Sequence, residues 1–333
     1  MRDATIRLRY LDEVLEELFP AGGERDGDRP AGVTARTVLP HRLVPRRVVP
    51  RAWWHAALGR GLRTGGASGT IETHLSEVLG RRVRVVVHVR PARRANRKPV
   101  LEAYDSSGLV AFVKIGASER ARALVRHEGE VLRGLADRAL KVVAPPTVLH
   151  QGVWRGLEVL ALSPLPVTSR RVPPGLLASA VREIAALGPR TGTGTAGPRH
   201  QDGPPGDPHA DRDRTAAWHG DFTAWNTAAG PDGRLLVWDW ERFAVGVPVG
   251  FDALHHFFHR ALRRMPPPVA ARACLAQAGR ILEPFGADAA GARRTAAHYL
   301  ITLAERHRRD GHEPLGSPAT WLNPAIDHLE CLL

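Results

Sequence analysis

Lysine is nearly missing from this chain. Of the 47 basic residues behind a formal net charge of +13, only Lys98, Lys114 and Lys141 are lysine. Cysteine is as sparse: Cys274 and Cys331 supply neither a disulfide framework nor a metal cluster, which fits a reducing, cytoplasmic setting. No apolar run approaches the length of a bilayer span, so no membrane helix is expected. The opening residues lead into the acidic stretch Asp12 to Glu17 rather than the apolar core of a signal peptide. The arginines come with no nucleic-acid motif, and no nucleic-acid partner is expected. Their excess is local: positions 40 to 100 hold fourteen basic and two acidic residues, whereas from position 219 onward the two signs balance at twelve each. The basic segment reads either as a surface for an anionic partner or as arginine bias in composition.

What the chain does have is a core-forming 43% of apolar residues in 333 positions, enough for one two-lobed unit and an extension. Residues 1–80 read as that extension: an amphipathic helix over 1–19, a mobile Gly/Asp/Arg-rich stretch over 20–35, an extended Arg/Pro/Val segment over 40–51 and a helix over 70–79. Two strands follow, Arg84 to Val89 and Val100 to Tyr104. Their connecting segment 90–99 contains no glycine, so backbone N–H groups have no loop of the kind that cradles phosphate. Either the side chains of Arg93, Arg94, Asn96, Arg97 and Lys98 take that part, or the segment is a solvated basic hairpin tip.

The run Leu109 to Ile115 reads as an apolar strand carrying one charge, Lys114. In a chain that writes arginine nearly everywhere, a retained lysine points to a narrow site that takes a compact point charge rather than a planar fork. After Gly116, Ser118 offers an N-cap and a helix runs to about Leu135, with Glu128, or as runner-up Glu130, available to pair with the lysine. Val159 to Leu165 reads as a buried strand ending at a proline-marked turn. A helix is expected at about 175–187. Residues 188–217, rich in Gly, Pro, Thr, Asp and Arg, read as a disordered linker.

The densest chemistry lies in His219-Gly220-Asp221-Phe222-Thr223-Ala224-Trp225-Asn226, followed by the strand Leu235 to Trp238 and then Asp239-Trp240-Glu241. Gly230-Pro231-Asp232-Gly233 is a turn sequence, so a hairpin brings the two motifs to one mouth. A carboxylate that accepts a proton, with oxygen ligands for magnesium, is what phosphoryl transfer requires. Helices are expected over 251–264, 267–283, 290–309 and 318–332.

The pattern H-G-D-x-x-x-x-N with a following D-W-E resembles the aminoglycoside phosphotransferase and choline kinase family of small-molecule kinases. The downstream Gly246-Val247-Pro248 with Asp252 adds to the likeness. The resemblance implies an α+β, bilobal, protein-kinase-like fold. An antiparallel sheet with one helix would form the N-lobe over 81–165, and a mostly helical C-lobe with a catalytic hairpin would span 166–333. It makes Asp221 the catalytic base, Asn226 and Asp239 the Mg²⁺ ligands, and His219 and Asp252 supports of the loop. Glu241 is either a further ligand or a strand-end charge. Lys114 with Glu128 would hold the nucleotide phosphates, together with Arg94 and Asn96, and the backbone around Ser163 and Leu165 would meet the base. The implied activity is ATP- or GTP-dependent O-phosphorylation of a small hydroxylated molecule. The alternative is a weak or inactive kinase-like, nucleotide-binding regulatory protein. No acidic cluster beyond the catalytic residues marks a site for a polycationic antibiotic.

Overall fold

The computed structural model describes residues 2–20, 34–41, 44–52, 60–64, 69–88, 98–188, 216–311 and 314–330. Arg93, Arg94, Asn96, Arg97, Cys331, nearly all of the stretch 20–35 and nearly all of the expected linker lie outside these residues. The chain forms two compact units, one of residues 1–136 and 146–164, the other of residues 137–145 and 165–333. The fold is α+β.

The first unit is built on an antiparallel sheet. Its strands are β1 (Thr34–His41), β2 (Val44–Pro50), β3 (Arg60–Thr64), β4 (Arg84–His88), β5 (Val100–Asp105), β6 (Gly108–Gly116), β8 (Val148–Trp154) and β9 (Leu157–Leu162). They lie in the order β3-β1-β2-β4-β5-β6-β9-β8. The segment expected as an extension therefore supplies three strands of the same sheet. Prolines hide the first two of them in the sequence. Pro40 sits where the β1–β2 register shifts, and Pro50 ends β2, both places where a ladder tolerates a missing N–H.

Helix α1 (Arg2–Leu18) repeats Leu11, Val14, Leu15 and Leu18 on one face, and that face is buried in the core with Val85, Leu101 and Val113 of the strands. Arg36 of β1 is fully buried. Its guanidinium lies over the Phe19 ring, pairs with Glu72 at 2.6 Å and donates to the Val85 carbonyl at 3.0 Å. Glu72 belongs to α2 (Ile71–Val78), which is capped by the Thr70 hydroxyl. Helix α3 (Glu119–Ala136) starts on the Ser118 cap, whose hydroxyl accepts the Ala121 N–H at 3.2 Å. It buries Leu124, Val125, Leu132 and Leu135, each contributing about 1.5–3 kcal/mol of apolar burial.

The second unit begins with β7 (Val143–Ala144) and α4 (Pro174–Ala185). Then come β10 (Ala216–Trp218), β11 (Thr227–Ala229), β12 (Leu235–Val237) and β13 (Ala244–Val247). Strands β11 and β12 form the expected hairpin, extended on its far side by parallel pairing of β12 with β7. Helices α5 (Phe251–Ala261), α6 (Pro267–Ala276), α7 (Ala278–Leu282), α8 (Ala289–Arg309), α9 (Pro318–Trp321) and α10 (Asn323–Glu330) make up the rest. Their core gathers Phe251, Leu254, Phe258, Tyr299, Leu303 and Trp321. The helix expected over 267–283 is two, α6 and α7, meeting at Gln277. The one expected over 318–332 is also two, broken at Leu322: Pro324 has no N–H to continue the ladder from the turn before it, and stands instead in the first turn of α10. Among the described residues no helix is long and apolar enough to cross a membrane.

Candidate functional site

In the sheet unit, Lys114 lies on β6 between the buried Val113 and Ile115, opposite Val100 of β5 and Leu160 of β9. Alternation along the strand turns its side chain away from the face those neighbours bury. The ammonium donates to both oxygens of Glu128, at 2.7 and 2.5 Å. Glu128 is fully buried and the lysine side chain is 13% exposed. Glu130, two residues on, is exposed, so the pairing goes to Glu128. Ser163 follows β9 and pairs with Thr147, its hydroxyl accepting that residue's N–H at 2.9 Å. The chain passes into the second unit after Pro164. There Leu165 packs against Ala144, Ala228 and Leu236.

In the helical unit, β10 delivers the chain into the loop His219 to Asn226. Asp252, in the first turn of α5, takes the His219 N–H at 2.7 Å and the Gly220 N–H at 3.2 Å. The Asp221 N–H in turn donates to Nδ1 of His219 at 3.2 Å. Gly220 has φ +80°, and a β-carbon there would collide with the Arg242 carbonyl, so only glycine fits. Asn226 closes the loop: its Nδ2 donates to the Asp221 carbonyl at 3.0 Å and to Asp221 Oδ2 at 2.9 Å. His219, Asp221, Asn226 and Asp252 are thus one hydrogen-bonded group.

The hairpin carries Asp239 to the same end. Thr227 pairs with Val237, and the Asn226 carbonyl accepts the Trp238 N–H at 3.2 Å, so Asp239 is the next residue past Asn226's partner. Asp239 adopts the left-handed conformation, φ +73°, which costs a residue with a β-carbon about 1–3 kcal/mol and which Asp and Asn tolerate best. It opens a 3₁₀ turn, Trp240–Arg242, that buries Trp240 against the His219 ring and leaves Glu241 half-buried beside Arg242. Burial pushes the Asp221 carboxyl above the usual carboxylate range. The neighbouring Asp239 charge adds to this, while His259, Arg306 and His219 oppose it. The two carboxylates therefore act on each other as like charges in a partly desolvated place.

Three further residues converge here that the motifs did not mark. His255 of α5 is fully buried, with Nε2 3.2 Å from Asp221 Oδ1. Its Nδ1 lies 3.0 Å from the hydroxyl of Tyr299 on α8, which is also fully buried. Arg306, two turns further along α8, donates to the Gly220 carbonyl and lies over the Trp218 ring. Burial holds the His255 imidazole neutral, well below its ordinary range, and the Tyr299 phenol well above its own. The same burial lifts Asp252 to about 7 against the pull of the two amides it accepts. His259, against His255 on one side and the half-exposed Trp225 on the other, is pushed down to about 2 by burial. His255, His256 and His259 lie close together in the sequence, but no spacing there links them to Tyr299 or Arg306.

No protein-family model matches the chain, and no curated protein matches it in sequence. Solved structures similar to it include one described as a fructosamine-3-kinase from Haemophilus somnus. The two are 14% identical, the match covers 78% of this chain and 96% of that one, and the TM-score is 0.48. Choline kinase LicA from Streptococcus pneumoniae, in complex with AMP, is 14% identical over 78% of this chain and 97% of its own, with a TM-score of 0.42. The GDP complex of aminoglycoside 2'-phosphotransferase IIIa is 13% identical over 70% and 87%, with a TM-score of 0.41. These three structures are described as a fructosamine-3-kinase, a choline kinase and an aminoglycoside phosphotransferase.

Proposed function

We propose that this chain transfers the terminal phosphoryl group of ATP or GTP to a hydroxyl of a small molecule. The observation that carries the reading is Asp221: a partly exposed carboxylate held at Oδ2 by Asn226, with a second carboxylate, Asp239, close enough to lift its affinity for a proton. A carboxylate so placed accepts the proton of an acceptor hydroxyl as that oxygen attacks phosphorus, and its fixed orientation lowers the barrier by alignment.

Two like charges beside a carboxamide also make a donor set of hard oxygens, the kind magnesium takes. Asn226 and Asp239 would hold the ion, with Glu241 as a further candidate. Bound there, Mg²⁺ would neutralise charge on the nucleotide phosphates. In the sheet unit, Lys114 would hold the phosphates as a point charge, with Glu128 keeping the ammonium in place. Arg94 and Asn96 would add phosphate contacts, and the backbone around Ser163 and Leu165 would meet the base. His219 and Asp252 would keep the loop in shape.

The test is turnover of Mg-ATP and Mg-GTP in a screen of hydroxylated metabolites, with wild type, Asp221→Ala and Asp239→Ala. Each variant should lose turnover, Asp221→Ala by about a hundredfold to ten-thousandfold, the usual worth of a general base. Unchanged turnover in either overturns the reading. A wild type that binds nucleotide and never transfers it supports instead the regulatory, nucleotide-binding alternative.

A further inference from the structure

Helices α5 and α8 hold the Asp221 loop from two sides, through faces that the helical repeat lines up. On α5, Asp252 and His255 are three residues apart and share a face. Asp252 accepts the backbone N–H groups of His219 and Gly220, and His255 meets the Asp221 side chain. On α8, Tyr299 and Arg306 are seven residues apart and again share a face. Tyr299 meets the far side of the His255 ring, and Arg306 holds the Gly220 carbonyl. The result is a continuous buried chain, Asp221 Oδ1 to His255 Nε2, then His255 Nδ1 to the Tyr299 hydroxyl, at 3.2 and 3.0 Å.

The hydrogens of this chain follow from what each group can do. An ionised carboxylate only accepts, so the imidazole nitrogen facing Asp221 must carry the N–H. A neutral imidazole has one N–H, so Nδ1 is then an acceptor, and the Tyr299 hydroxyl is the donor that meets it. The reverse tautomer would set the Nε2 lone pair against a carboxylate oxygen, two acceptors face to face in a buried place, a costly arrangement. Tyr299 holding its proton and His255 staying neutral, both through burial, agree with this assignment.

We propose that His255 and Tyr299 are positioning residues for Asp221: the Tyr299 hydroxyl selects the imidazole tautomer, and the imidazole N–H fixes Asp221 Oδ1. With Asn226 on Oδ2, donors from two different elements lock the carboxylate plane. The catalytic consequence rests on the phosphotransfer reading; the hydrogen-bond chain does not. A device of this kind acts by keeping one carboxylate orientation and one charge state, so its loss lowers the chemical step and leaves nucleotide binding alone.

The experiment uses the full chain labelled with ¹⁵N-histidine, read by long-range proton–nitrogen correlation, beside steady-state hydrolysis of Mg-ATP. His255 is assigned by the signal that disappears in His255→Gln. Wild type should show the Nε2–H tautomer alone, and Tyr299→Phe should show a mixture. Tyr299→Phe and His255→Leu should lower kcat by about 10- to 100-fold with KM for Mg-ATP unchanged, while His255→Gln, whose amide N–H reaches the Nε2 position, should retain kcat within about threefold. An Nδ1–H tautomer in the wild type overturns the proposal. So does full kcat in a folded His255→Leu, or a Tyr299→Phe that leaves both tautomer and kcat untouched. Should His255→Leu fail to melt cooperatively, Tyr299→Phe and His255→Gln carry the decision. Full hydrolysis by Asp221→Ala would instead count against the phosphotransfer reading, with the tautomer still deciding the chain.

Discussion

The two units bury charge by opposite means. In the sheet unit, Lys114 and Glu128 face each other across a strand and a helix, and the fully buried carboxylate has both oxygens on one ammonium. In the helical unit, Asp221 and Asp239 are like charges, surrounded by histidines kept neutral and by one buried arginine. One unit thus sets opposite charges against each other, and the other sets like charges side by side.

The sharpest way to break this contrast is to remove one charge from each side. Lys114→Met takes the ammonium away from both oxygens of the buried Glu128, and should cost about 3–5 kcal/mol in denaturant unfolding, the typical penalty for breaking a buried pair. Asp239→Asn removes a like charge and keeps a residue that tolerates the left-handed conformation. It should stabilise the ligand-free chain, by on the order of 1 kcal/mol. Destabilisation by both would show that Asp239 is an ordinary structural partner.

A smaller effect sharpens the picture of the helical unit. Asp252, lifted from an ordinary 3.8 to about 7, binds its proton more tightly in the folded chain than in the unfolded one. Its contribution to stability is therefore full below about pH 4 and is lost as pH rises towards 7. His259, lowered from 6.5 to about 2, has the reverse sign: its contribution is present above pH 6.5 and is lost as pH falls. Between pH 7 and 5 the two trends oppose each other. Asp252→Asn removes the first, so its melting temperature should fall more steeply on acidification than that of wild type. Parallel curves would mean that Asp252 is ionised throughout this range.

Much of this was legible where the chemistry is local. Lys114 and Glu128 are fourteen positions apart, a strand end and the facing turn of the next helix, and the scarcity of lysine drew attention to the first. Asp221 and Asn226 are five apart in one loop, and a turn sequence announced the hairpin that brings Asp239 beside them. What the sequence hid is carried by long-range contacts. His255 meets Asp221 across 34 positions, Tyr299 meets His255 across 44, and Arg306 reaches Gly220 across 86. No periodicity within a helix says which distant loop its face will meet. Strands β1 and β2 were hidden for another reason: prolines interrupt the alternation, and the ladder accepts them near its ends and irregularities.

The proposed place for a metal-bound nucleotide is at Asn226 and Asp239, beside the Asp221 carboxylate. Calorimetric titration of ATP into wild type and Asp239→Ala, with and without Mg²⁺, tests it most directly. Magnesium should tighten ATP binding to the wild type, and Asp239→Ala should abolish most of that gain while its binding without metal stays the same. Equal magnesium dependence in the two proteins would contradict the account.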